Sequence, residues 1–171
     1  TTLSRTQFKP TKPSMKKLFA TLAVLISAAS PVHANPAYKA LNRSPLSQMV
    51  ERTGTRIVYD TQLCQDRGML GYYKPGTDVM GICVSNHDGD WKELGDTLRH
   101  ESIHVAQACN DSKPILGWNQ IAKYSNNRIL SIVQQYPAEH QHIEYEAFTA
   151  AYVMNNNQIA KIVAQQCSHL L

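Results

Sequence analysis

DTLRHESIHVAQAC, residues 96–109, is the stretch from which the rest of the chain can be placed. Leu98, Ile103, Val105, Ala106 and Ala108 recur at helical rather than alternating spacing, and no breaker interrupts them. Asn110-Asp111-Ser112-Lys113-Pro114 ends the pattern. A helix opening near Gly95 or Asp96 and running to about Cys109 is therefore expected. Upstream, residues 68–90 read GMLGYYKPGTDVMGICVSNHDGD. Leu70, Tyr72, Val79, Ile82 and Val84 supply strand formers on either side of the turn chemistry at 74–78, so an antiparallel pair over 69–74 and 79–85 is expected. Residues 56–63 add a further strand, and 87–90 form a polar loop. Residues 35–45 read as an irregular leader into a short helix at 46–51, with Ser44 as its cap and Pro45 in its first turn. Downstream, helices are expected at 121–124 and 128–135, then a strong one at 138–155 opened by Pro137, and a short one at 158–166. Strands precede helices, which is the layout of an α+β domain with a small antiparallel or mixed sheet and a helical half.

Residues 15–34, MKKLFATLAVLISAASPVHA, have the three blocks of a secretory signal: lysines, an apolar run and small residues before a cut expected after Ala34. The apolar run is about 12 residues, short of the roughly 20 needed to span a bilayer, so no stable membrane span is expected after processing. Residues 1–14 read as an upstream translated segment, leaving 35–171 as one domain. The whole chain carries 17 Lys+Arg against 13 Asp+Glu, a formal net charge of +4. Arg5, Lys9, Lys12, Lys16 and Lys17 account for that excess, and beyond residue 34 the balance is slightly acidic. No basic cluster survives there to neutralise phosphates, which excludes nucleic acid as a partner.

Four cysteines, Cys64, Cys83, Cys109 and Cys167, contain no CxxC pair, which removes the zinc-ribbon and thioredoxin readings. An even count behind an export signal favours two disulfides. Three pairings are open; we favour Cys64–Cys83 with Cys109–Cys167, which would tie a hairpin and clamp the chain terminus to the central helix.

His100-Glu101-Ser102-Ile103-His104 lies inside the central helix. Histidines four apart sit one turn apart on one face, so both imidazoles can reach a single ion. Glu101 shares that broad face without coinciding with either ring. Two neutral imidazoles suit Zn²⁺, and a carboxylate beside an open coordination position can take a proton from water. Helical context and apolar flanks weigh against the simpler reading of two surface histidines with a salt-bridging glutamate. A third ligand must come from another element. The helix after Pro137 offers Glu144 and Glu146, placed about equally to either side of the face formed by Ile143, Ala147, Ala150, Ala151 and Met154, so periodicity leaves both open.

HESIH at 100–104 followed by EYEAF at 144–148 resembles the glutamate zincins, zinc metallopeptidases marked by HExxH and a downstream glutamate helix. The resemblance covers roughly residues 69–155. Members with a short E-x-x-A or E-x-E-A motif, including peptidases related to the CaaX-processing enzymes, use its first glutamate as the third zinc ligand. The resemblance therefore implies a zincin-like fold, His100, His104 and Glu144 as zinc ligands, and Glu101 as general base. Glu146 is the alternative third ligand, and otherwise has a supporting or surface role. Phe148 departs from the pattern, since many such enzymes place there an aspartate that hydrogen-bonds a ligand histidine; Asn119, Asn126 and Asn127 are candidates to orient that imidazole instead. The resemblance also implies that the strand at 79–85 borders the cleft and pairs with extended substrate.

The expected function is thus zinc-dependent hydrolysis of peptide bonds by an exported, secreted or periplasmic metallopeptidase acting on a peptide or protein. The alternative is a non-catalytic, zinc-stabilised secreted binding or structural protein on the same scaffold. Other residues carry weaker signals. His140 and His142 read as solvent-exposed, and His87 with Asp88 and Asp90 as a polar turn. Tyr124, Tyr136 and Tyr152 are each able to stabilise an oxyanion, and Trp91 and Trp118 read as core anchors.

Overall fold

The helix α1 (Pro36–Asn42) forms where an irregular leader was expected, because Tyr38 and Leu41 are drawn into the main core. The structure, a computed structural model, describes residues 36–124 and 126–171, without the side chains of Ala37 and Trp118. The expected signal at 15–34 and its cleavage point lie outside the described residues. Helix α2 (Pro45–Arg52) starts as its sequence predicts, with the Ser44 side chain accepting from the Ser47 N–H and Pro45 in the first turn.

Three short strands follow: β1 (Arg56–Tyr59), β2 (Gly71–Lys74) and β3 (Val79–Ile82). Their order is β1-β3-β2, with β1 parallel and β2 antiparallel to β3, so the sheet is mixed. The hairpin is the one expected, but β3 is the central strand and β2 the edge. A 3-10 turn at Val84–His87 ends β3 earlier than the apolar pattern suggested. Another at Gln62–Gln65 presents Cys64 to Cys83, and the two form a disulfide.

Asp90 decides where the central helix begins. Its carboxylate accepts from the N–H groups of Lys92 and Glu93, both at 2.9 Å, so α3 (Trp91–Ala108) opens a turn before the expected start. Trp91 therefore sits on the exposed first turn, 56% accessible, rather than anchoring the core. Helix α4 (Trp118–Ile121), α5 (Asn127–Val133), α6 (Gln141–Val153) and α7 (Asn156–Gln166) complete the helical part. Asn155 and Gln158 form a reciprocal capping box that restarts the chain as α7, which explains the interruption at 155–157.

Helix α3 is the hub. Leu98, Ile103, Val105 and Ala106 are almost wholly buried against Met80 and Ile82 of the sheet, Ala147 and Ala150 of α6, and Ile159 and Val163 of α7. Each such large aliphatic side chain contributes about 1.5–3 kcal/mol by leaving water. A second cluster, Ile121, Ile129, Val133 and Tyr145, seats α4 and α5 on α6. Cys109 and Cys167 are bonded, joining the C-terminal ends of α3 and α7. The fold is α+β, and its two disulfides fit an oxidising compartment. No described helix is long and apolar enough to cross a membrane.

Candidate metal centre

His100, Glu101 and His104 lie on the face of α3 turned toward the start of α6, where Glu144 sits in the first turn. The Nε2 atoms of His100 and His104 are 3.0 Å apart, and Oε2 of Glu144 is 3.3 Å from the first and 3.6 Å from the second. Three ligand-type atoms thus converge at one point, an arrangement able to hold a metal ion. Glu144 Oε2 is buried and has no hydrogen-bond partner. A desolvated carboxylate oxygen without a donor is costly, and a cation would satisfy it. Burial works to raise the Glu144 pKa, but the adjacent His100 and His104 outweigh it and hold the carboxyl well below its usual range. Burial likewise opposes charge on His104, yet Glu144, Glu101 and Gln107 push its pKa up to about 9. Glu101 is pushed above the ordinary carboxylate value by burial, with the neighbouring imidazoles offsetting part of the rise.

Glu146, the other carboxylate of the pair, is directed elsewhere. It is fully buried, not at the surface. Its oxygens accept from the N–H of Ile115 and Leu116, at 3.0 and 2.5 Å, and from Gln107 Nε2 at 2.7 Å. The structure brings Glu144 and not Glu146 to the imidazoles. Gln107, which sequence reasoning passed over, is also the group against His104: its Oε1 lies 2.7 Å from Nδ1. It follows His104 by three residues on a helix, a spacing that could have flagged it. The asparagines considered for that task do other work or none: Asn126 caps α5 by accepting from the Ile129 N–H, and Asn119 and Asn127 are exposed. Phe148 packs on His100 with ring centroids 4.3 Å apart, and Nδ1 of His100 is buried without a partner. His87 is not in a solvated turn. It is buried, with Nδ1 2.8 Å from the Cys83 carbonyl and Nε2 2.9 Å from Thr97 Oγ1.

A cleft of about 1590 Å³ opens over these residues. One wall is the sheet edge, but it is β2 and not 79–85. Asp78 and Ile82 accept hydrogen bonds from β1-side residues Arg56 and Asp60, whereas Cys83 N–H donates to Leu70. With the observed register, this alternation turns the backbone groups of Gly71 and Tyr73 toward the open edge, and both residues line the cleft. The opposite wall is largely apolar, with Ile129, Ile132, Tyr136, Ile143 and Phe148. Of the three tyrosines singled out, Tyr136 is the one whose pKa is raised by burial together with the charges of Glu144 and Glu101. Tyr152 lines the rim but is 66% exposed, and Tyr124 is exposed away from the lining. His140 also lines the cleft, while His142 is exposed.

A search of curated proteins found no match, and neither did a search of solved structures. A family profile described as Domain of unknown function (DUF8637) matches residues 39–168, a span that includes every element carrying the cleft and the His100–His104–Glu144 cluster. The chain belongs to the DUF8637 family.

Proposed function

We propose that this protein is an exported zinc metallopeptidase of the glutamate-zincin kind, with His100, His104 and Glu144 holding the ion and Glu101 as general base. The observation that carries the reading is the convergence of three ligand atoms beside a buried carboxylate, at the floor of a cleft with an open strand edge. The sides of the ligand triangle, 3.0, 3.3 and 3.6 Å, bracket the edge of a tetrahedron. That edge is about 3.3 Å for ligands about 2.05 Å from zinc. A zinc ion held there would act as a Lewis acid toward a scissile carbonyl and make water easier to deprotonate. Glu101 takes the proton of the attacking water on its carboxylate and delivers it to the departing amine, a task suited to a group pushed above the ordinary carboxylate range. The outward backbone groups of Gly71 and Tyr73 align an extended peptide by strand addition, and the apolar far wall takes one of its apolar side chains. Tyr136 donates its O–H to the developing oxyanion.

One observation favours a second reading, a zinc-stabilised protein without turnover: Phe148 leaves Nδ1 of His100 with no acceptor. Hydrolysis of a denatured protein by the zinc-loaded chain separates the two. Under the leading reading, E101Q keeps about one zinc per chain and loses on the order of 10²-fold or more in hydrolysis. E144A loses zinc and activity together. Equal turnover in E101Q and wild type would remove Glu101 from the mechanism, and unchanged zinc affinity in E144A would remove Glu144 from the site.

A further inference from the structure

We propose that Gln107, locked by Glu146, is the positioning residue that fixes the tautomer and aim of His104. The inference rests on the metal-site reading for its purpose, but its geometry does not need an ion. Gln107 is 2% exposed, and its amide has acceptors on its far side: the Ile143 carbonyl at 3.1 Å and Glu146 Oε2 at 2.7 Å. Only an NH₂ group satisfies two acceptors, so the amide nitrogen must face them and Oε1 must face His104. A carbonyl oxygen accepts and never donates. Nδ1 of His104, 2.7 Å away, therefore carries a proton, and the lone pair of the neutral ring is left on Nε2, pointing at Nε2 of His100 and Oε2 of Glu144.

The polarity of this chain is set at its far end by groups that have no choice. Backbone N–H groups can only donate, and those of Ile115 and Leu116 both donate to Glu146. Glu146 is thereby held as an acceptor, Gln107 must donate to it, and His104 must donate to Gln107. The segment after α3 supplies the backbone donors, α6 supplies Glu146 and α3 supplies Gln107 and His104, so the loop at 115–116 is connected to the imidazole through Glu146 and Gln107. His100 has no counterpart to this chain. Its Nδ1 is unpartnered and its ring is placed by packing on Phe148. The two histidines of the motif are thus held by different means, and only one is held through its proton.

The test uses ¹⁵N-histidine-labelled full-length protein and zinc titration. In wild type, Nδ1 of His104 should give a protonated, hydrogen-bonded signal, both after chelation above the titration range of the ring and after zinc loading. In Q107M that proton should lose its hydrogen-bonded shift and its protection from exchange, and zinc should bind on the order of 10- to 100-fold more weakly. Q107E alone sets two carboxylates face to face and weakens zinc binding too. The double variant Q107E/E146Q exchanges amide and carboxylate: the acid at 107 accepts from His104, and the amide at 146 donates to it while accepting from Ile115 and Leu116. It should recover affinity over Q107E. Should the single variants fail to fold, the wild-type spectrum still decides, since a His104 ring protonated only on Nε2 overturns the proposal. So does a Q107M protein with wild-type zinc affinity and an unaltered His104 signal. A wild type that ignores zinc yet shows the Nδ1 proton, lost in Q107M, would sink the metallopeptidase reading and support the tautomer assignment.

Discussion

The hydrogen atom on Cα of Gly71 keeps the sheet edge and helix α3 at their spacing. A Cβ there would lie 2.7 Å from Thr97 Cγ2 and 3.0 Å from both Cγ and Oε1 of Glu101. Thr97 cannot retreat easily, being buried and bound through Oγ1 to His87. Gly71→Ala should therefore cost about 1–3 kcal/mol by overpacking. It should also turn the Glu101 carboxylate aside, so that, on the proposed function, hydrolysis falls while zinc content stays near that of wild type. Denaturant melts and metal analysis read the two effects; a variant matching wild type in both stability and turnover would contradict the close approach. Nothing in the sequence marks Gly71, because the clash depends on two elements meeting. HESIH was legible because helical spacing alone puts His100, Glu101 and His104 on one side. Glu144 and Glu146 were not separable by periodicity for a specific reason. Both flanks of α6 are covered, one by α3 and the other by the segment at 115–116. The solvent face of α6, which carries His142 and Tyr152, includes neither carboxylate and so does not tell them apart.

At the level of elements, the bond between Cys109 and Cys167 fastens the end of α3 to the end of α7 across 58 residues of sequence. Closing a loop of that length in the unfolded chain is worth about 4 kcal/mol in the chain-entropy account. The double variant C109A/C167A should lose stability of that order, seen as a lower denaturant midpoint with an unchanged far-ultraviolet spectrum in water. A midpoint equal to wild type would mean that α7 holds α3 through Ile159 and Val163 alone. Element identity was mostly readable: the 74–78 turn, the Ser44 cap and the α3 pattern each rest on neighbouring residues. What escaped depends on distant ones. The parallel pairing that makes β3 central joins β1 to β3 across the intervening β2, and no local pattern in 79–85 distinguishes a central strand from an edge. Helix α1 exists through burial of Tyr38 and Leu41, and α3 begins early because Asp90 lies at its cap.

For the molecule as a whole, the pair His104–Glu144 bridges α3 and α6 across the floor of the cleft. Chelator-treated protein should report this through pH. A histidine raised from 6.5 to about 9 contributes stability that is complete below about pH 6.5 and lost as pH climbs through about 9. The lowered Glu144 carboxyl contributes above about 4.5 and loses its share only as pH falls well below that. The melting temperature of the chelated protein should thus decline between about pH 6.5 and 9, and H104Q should flatten the decline. A chelated wild type with no such slope would dissolve the pairing. Added zinc should reverse the trend, because its ligands bind in deprotonated form. The other disulfide has a different bearing on how the molecule survives proteolysis. Cys64 and Cys83 make a covalent ring of the chain between them, with the exposed turn at 76–78 on its far side and β2 along its rim. One cut in that turn opens the ring without dividing the molecule, so both pieces stay joined and the cleft-facing strand remains tethered where a peptidase has begun to digest it.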